Sequence, residues 1–276
     1  AVYDLVAAKI LWVFSQNSSV LYGVALTLSN AGSWAQGSTT SKSAGGTVDY
    51  IQAAYDVTAQ KTLAVFKETY VGLKGAIVSI SGTTVTISNY TAVGGFNQNS
   101  EPQAITYDDS TASPACIIVA DTDSGGNQLK VFAGYIVGQS TPIFGGPTQV
   151  ATSGVSRQFE MAVAYDSVQK KSVIIYRHED GGVSDTYAVV ATIEYNSLVM
   201  TLGTAVAAST LKCNNMKAIY DTYAKRTVLC FNVNQSSSIQ GGATRTITVS
   251  GTTPTWSTTN VYYDTGNGGV SSAIHT

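Results

Sequence analysis

Three carboxylates occupy one position of a recurring pattern. Asp49 lies seven residues before Asp56, Glu101 seven before Asp108, and Glu160 six before Asp166. Hydrolysis of a glycosidic bond needs carboxyl groups of this kind brought together from separate segments, one as proton donor and one as base or nucleophile. The competing reading is ordinary loop carboxylates, since Gly45-Gly46 and Asn97-Gln98-Asn99 nearby are loop composition. A second set is formed by the Tyr-Asp pairs ending at Asp4, Asp56, Asp108, Asp166 and Asp221. Equivalent carboxylates in a ring can hold a cation, but a role repeated in every unit is more economically structural. Each Asp then accepts backbone amides of the following turn, partnered by the basic residue five positions on (Lys9, Lys61, Lys171, Arg226). Third, Asp121-Thr122-Asp123-Ser124-Gly125-Gly126-Asn127 offers Asp121 and Asp123 as oxygen ligands for calcium. It lacks the downstream glutamate of a helix-flanked calcium loop and reads as a polar hairpin.

Other chemistries find little support. His178 and His275 stand apart, with no Ser-His-Asp or Cys-His pairing in prospect. Cys116, Cys213 and Cys230 make neither a disulfide framework nor a metal spacing and read as small buried hydrophobes. Neither a cofactor nor a metal is implied. Charged residues are 12% of the chain and the net charge is −2, so composition gives no footprint for nucleic acid or an anionic membrane. There is no run of 18 apolar residues, hence no transmembrane helix. What remains is polar and aromatic loop chemistry suited to sugars: Tyr50, Asn97, Asn99, Arg157, Gln158, Asn214 and Asn215 fall between units. Among the tryptophans, Trp12 reads as core, while Trp34 and Trp256 fall on outer strands and read as exposed.

The elements that must position these groups are written in the spacing. Successive Tyr-Asp aspartates are 52, 52, 58 and 55 residues apart, the mark of repeated supersecondary units. Each unit holds four apolar or alternating stretches rich in Val, Ile, Thr and aromatics; in the second unit these are 52–56, 62–66, 76–81 and 84–88. Ser81-Gly82-Thr83-Thr84 reads as a hairpin turn, copied by Ser250-Gly251-Thr252-Thr253. The second stretch is the most apolar (10–14, 62–66, 116–119, 172–176, 227–231), as for a strand buried on both faces. Ala1, Ala53, Ala104, Ala162 and Ala218 supply the small side chain that an innermost strand needs where sheets crowd an axis. The pattern predicts an all-β, five-bladed β-propeller with four antiparallel strands per blade. Its units run over about 1–51, 52–103, 104–161, 162–217 and 218–269, in one domain spanning 1–276, with 270–276 as a strand pairing the C-terminal segment with the first blade to close the ring.

The repeat also resembles a known group. Ala53-Ala54-Tyr55-Asp56 with Lys61, Phe66 and Val78-Ser79-Ile80-Ser81-Gly82-Thr83-Thr84 is similar to repeats of phage tail-fibre proteins and large bacterial adhesins; the third unit departs most, at Ser113-Pro114. The resemblance implies a fold similar to five-bladed tachylectin-like lectins. It implies a non-enzymatic binding or display module on a virion or extracellular surface, with cell-surface glycans and other virion or surface proteins as partners. Neither nucleic acid nor membrane insertion belongs to that picture. The alternatives are a protein-docking propeller without sugar recognition, and a glycoside hydrolase using Asp49, Glu101 and Glu160. Five-bladed glycosidases resemble this chain in placing carboxylates of different blades around the channel mouth.

Overall fold

A computed structural model of the chain describes residues 1–16, 18–29, 32–96, 98–108, 115–122, 128–138, 141–151, 161–180, 183–208, 213–236 and 239–262. The described residues form five antiparallel sheets, one per repeat. The innermost strands are Val2–Asp4, Val48–Asp56, Glu101–Asp108, Met161–Asp166 and Cys213–Asp221. Each pairs with a second strand (Lys9–Phe14, Lys61–Glu68, Ala115–Thr122, Lys171–Asp180, Arg226–Ser236) and that with a third (Val20–Leu28, Gly72–Ser81, Gln128–Val137, Val183–Glu194, Ile239–Ser250).

The expected fourth strand is present but broken in two. One piece (Trp34–Gln36, Thr84–Ile87, Thr141–Phe144, Val199–Leu202, Thr253–Trp256) pairs the end of the third strand, and a second (Thr40–Ser43, Thr91–Ala92, Thr148–Ala151, Val206–Ala207, Val261–Tyr262) pairs its beginning. The bend begins at one equivalent amide in every unit: Gly37, Ser88, Gly145, Gly203 and Ser257 each donate to a third-strand carbonyl. Where this residue is glycine there is a reason. A β-carbon on Gly37, Gly145 or Gly203 would overlap the carbonyl oxygen of Thr83, Leu198 or Thr252, each in the hairpin of the next unit. Ser81 pairs with Thr84 across a two-residue turn opened by Gly82 at φ +60, the glycine-first hairpin the sequence announced.

The core lies between sheets. Strand alternation sends Ala64 and Phe66 into a cluster shared with Leu11 and Leu21 of the first unit, and Leu63 and Val65 into one shared with Phe132 of the third. In the fourth unit Ile174 and Tyr176 face the third sheet while Val173 and Ile175 face the fifth. The second strand is thus buried on both faces in these units, as its composition requires. Trp12 corrects the expectation of a core residue: it is 49% exposed. Its neighbours Leu11 and Val13 point toward the second unit, so alternation puts Trp12 on the other face, 4.8 Å from Phe14. Trp256 departs the other way, half-buried with Nε1 donating to Val206 O and the Arg245 guanidinium over its ring, whereas Trp34 is exposed as expected.

The small residues meet at the axis. Ala53, Ala104, Ala162 and Ala218 of four innermost strands, with Ala1 immediately before the first, line a single cavity of about 210 Å³. Such radial convergence is a propeller's, and the chain is an all-β propeller. The segment 270–276, expected to close the ring, lies outside the described residues.

Candidate functional site at the channel mouth

Two ends of this barrel-like core differ in chemistry. At one end each innermost strand finishes in Tyr-Asp. Asp4 Oδ1 accepts the amides of Val6 and Ala7, and Asp56 Oδ1 those of Thr58 and Ala59, at 2.7–3.0 Å. Asp166 and Asp221 repeat the arrangement. Their structural reading is therefore the observed one. Pairing to the basic residue five positions on is not: no ion pair joins them among the described residues. Lys171 donates to Thr192 Oγ1 and Arg226 to Ala224 O instead. The tyrosines reach backwards. Tyr55 sits beside Asp4 of the preceding unit and Tyr220 beside Asp166; burial, then that carboxylate, raises both phenols, Tyr220 to about 12. The repeated pair is an interlock between units.

The other end, where innermost strands begin and second strands finish, holds the candidate site. Two innermost strands carry a β-bulge there, between Asp49 and Gln52 and between Asn214 and Lys217. Each bulge places a non-glycine residue in the left-handed region, Tyr50 at φ 52 and Asn215 at φ 49. Bulges re-aim side chains, and left-handed residues without glycine persist where surrounding structure enforces them. The third innermost strand is irregular at the same level, between Pro102 and Ala104.

Lys67 organises one side of the mouth. Its Cα is opposite Asp49, its Nζ lies 5.4 Å from the Tyr50 ring centroid, and it makes a 3.0 Å ion pair with Glu101 of the next unit. Glu101 is 8% exposed, so this is a strand carboxylate and not the loop acid of the simpler reading. Arg177 repeats the geometry two units on, donating to Asn214 Oδ1 of the fifth unit. Asn99 and Asn215 are exposed at the same level. The structure thus gathers Tyr50, Asp49 and Glu101 around Lys67, and Asn214 beside Arg177. Both cations directly follow the aromatic that closes the apolar stretch of the second strand, Phe66-Lys67 and Tyr176-Arg177. The equivalence of these two positions between units is the signal in the sequence, and loop composition does not carry it. An ammonium held against Glu101 suits a carboxylate used as hydrogen-bond acceptor or base.

Of the remaining candidates, Asn97, Asp123, Arg157, Gln158 and Glu160 lie outside the described residues, and Asp121 is placed only by its backbone, opposite Glu101. Among the described residues no three metal-ligating side chains come together. Cys213 and Cys230 are buried thiols, Cys213 pushed up to about 12 by burial, as befits packing residues.

Comparison with known proteins bears on the fold. No protein-family model and no curated protein matches the sequence, so the tail-fibre resemblance rests on the repeat's own residues. Solved structures do match. NanB sialidase from Streptococcus pneumoniae superposes with a TM-score of 0.51 at 14% identity over 76% of this chain and 32% of its own. The exo-beta-1,3-galactanase from Phanerochaete chrysosporium, solved with beta-1,3-galactotriose, gives 0.46 at 10% over 80% and 55%. The chain spans about half the length of the galactanase and a third of the sialidase. The fold is shared with a sialidase. That corrects the expectation of a non-enzymatic module, because the architecture is one in which glycosidase activity occurs and supplies no ground for excluding catalysis.

Proposed function

We propose that the protein acts on carbohydrate, bound at the mouth across the second, third, fourth and fifth units. The observation that carries this reading is Lys67, which touches the Tyr50 ring and the Glu101 carboxylate at once. An aromatic face beside a charge-paired acceptor offers a sugar both a stacking surface and directional hydrogen bonds. Arg177 with Asn214 and the exposed Asn215 extends the same chemistry around the rim. The sialidase that shares the fold supports the same ligand class. Asp49 and Glu101, on adjacent innermost strands to either side of Lys67, favour hydrolysis as the activity. The repeat's resemblance to tail-fibre and adhesin units supports a setting on a virion or cell surface.

A glycan array and a polysaccharide-turnover assay test the reading together. Tyr50→Ala and Lys67→Met are expected to weaken binding by about tenfold or more, the loss of one stacked or charge-assisted contact. Glu101→Gln is expected to abolish turnover while the circular-dichroism spectrum stays unchanged. Unaltered binding in Tyr50→Ala and Lys67→Met removes the site; full turnover in Glu101→Gln removes the hydrolytic role.

A further inference from the structure

The end of the propeller opposite the mouth is built quite differently. Its turns project Leu5 (60% exposed), Val6 (63%), Val57 (45%), Val168 (51%) and Tyr223 (97%). Four turns share one geometry, with a left-handed residue four places after the Asp (Ala8, Gln60, Lys170, Lys225), so the tips stand at one height. Outside them, where third strands end and the outer strands begin, Leu28, Trp34, Val137 and Val199 are exposed as well. At the centre lies an axial hollow of about 340 Å³ walled by Ile105, Val163, Ala218, Ile219 and two of the Tyr-Asp tyrosines. Apolar side chains gathered this way on one face mark an interaction surface.

Cations stand between the tips: Lys9, Lys61, Lys171 and Arg226 open the second strands, and Lys170 and Lys225 lie in the turns. Of the aspartates in the same turns, Asp4, Asp56 and Asp166 face inward at no more than 2% exposed and Asp221 is partly buried, each held by amides. Glu194, at the end of a third strand, is an exposed carboxylate on this face. A chain-wide net charge of −2 conceals this segregation. We propose that this face docks on an anionic phospholipid bilayer, the tips entering the interface and the lysines meeting lipid headgroups. Apolar and aromatic tips at a single level fit a flat interface, with cations attracted to acidic lipid over a Debye length. A second copy seated face to face would oppose the two rings of cations, and like charges across an interface exclude such pairing.

Cosedimentation with phosphatidylcholine vesicles, with and without phosphatidylserine, tests this. The protein partitions onto the phosphatidylserine vesicles, more weakly onto neutral ones, and releases as salt rises. Lys170→Glu and Lys225→Glu each weaken partitioning by roughly fivefold or more, and the combined Val57→Asp, Val168→Asp, Tyr223→Ser variant loses it. Tyr50→Ala, at the far end, partitions like the wild type, which separates this proposal from the carbohydrate reading. Failure to bind acidic vesicles, or binding untouched by these variants, overturns it. Light scattering that shows a dimer dissolved by Val57→Asp assigns the face to a second copy instead. Equal binding to soluble polyaspartate, indifferent to the apolar substitutions, assigns it to an acidic protein.

Discussion

Asp56 performs its task with one oxygen, Oδ1, which accepts two turn amides while the residue is 1% exposed. Burial raises its pKa, opposed by the Ala59 and Thr58 amides and the Tyr107 hydroxyl. A carboxyl whose folded pKa lies above its unfolded value contributes its stability fully below the unfolded pKa, and loses it as pH climbs through the folded one. Asp56→Asn keeps the accepting oxygen and is expected to change stability by only about 0.5 kcal/mol near neutrality while removing that pH dependence. Asp56→Ala strands two amides and is expected to cost about 1–3 kcal/mol in urea denaturation. The tyrosines set the alkaline limit. Burial, aided by Asp166, holds the Tyr220 phenol at about 12 against the usual 10. Stability from this neutral phenol is complete below pH 10 and is lost between 10 and 12. Spectrophotometric titration should therefore show late phenolate signals rising together with unfolding, and Tyr220→Phe should shift the unfolding midpoint upward. A midpoint unmoved by that substitution contradicts the interlock.

Elements meet most tightly where the outermost strand bends. Gly203→Ala is expected to destabilise by about 2 kcal/mol, because its methyl would collide with rigid backbone at Thr252. Gly94→Ala, which meets nothing within 4 Å, is the matched control and should be neutral or slightly stabilising. Thermal denaturation of the two variants side by side checks the difference. The same bend shows where the sequence was readable. Continuous apolar character in 62–66 announced a strand buried on both faces, and Ser81-Gly82-Thr83-Thr84 announced its turn; both depend on local composition. The innermost strand of the second unit begins at Val48, four residues before the apolar alternation, because a bulge at Tyr50 interrupts the period without ending the pairing. Lys67 is not marked as a site residue by its own sequence neighbours for a related reason, and only its match to Arg177 in another unit points to it. Its importance comes from Glu101 on another sheet, and contacts across sheets leave no mark in a local window.

For the whole molecule, the decisive fact is that apolar cores are shared. Phe132 is fully buried, 4.8 Å from Phe96 and 6.0 Å from Phe144, in a cluster that belongs jointly to the second and third sheets. Phe132→Ala is expected to cost about 3–5 kcal/mol. Tryptophans occur only in the first and last units, at Trp12, Trp34 and Trp256, so fluorescence reports the ends of the chain and far-ultraviolet dichroism reports all of it. Sheets that borrow half their core from a neighbour should unfold together, and the two signals should move by the same amount in Phe132→Ala. A fluorescence transition that stays put while the dichroism shifts would show units melting separately.

The interrupted rim has a further consequence. A continuous outer strand would present an uninterrupted row of free amides and carbonyls, a template onto which another chain could add. Here each perimeter is cut into pieces of two to four residues, with Pro142 and Pro254 withholding a donor in two of them. Many copies held side by side at high local density would therefore stay separate molecules and not knit into fibrils.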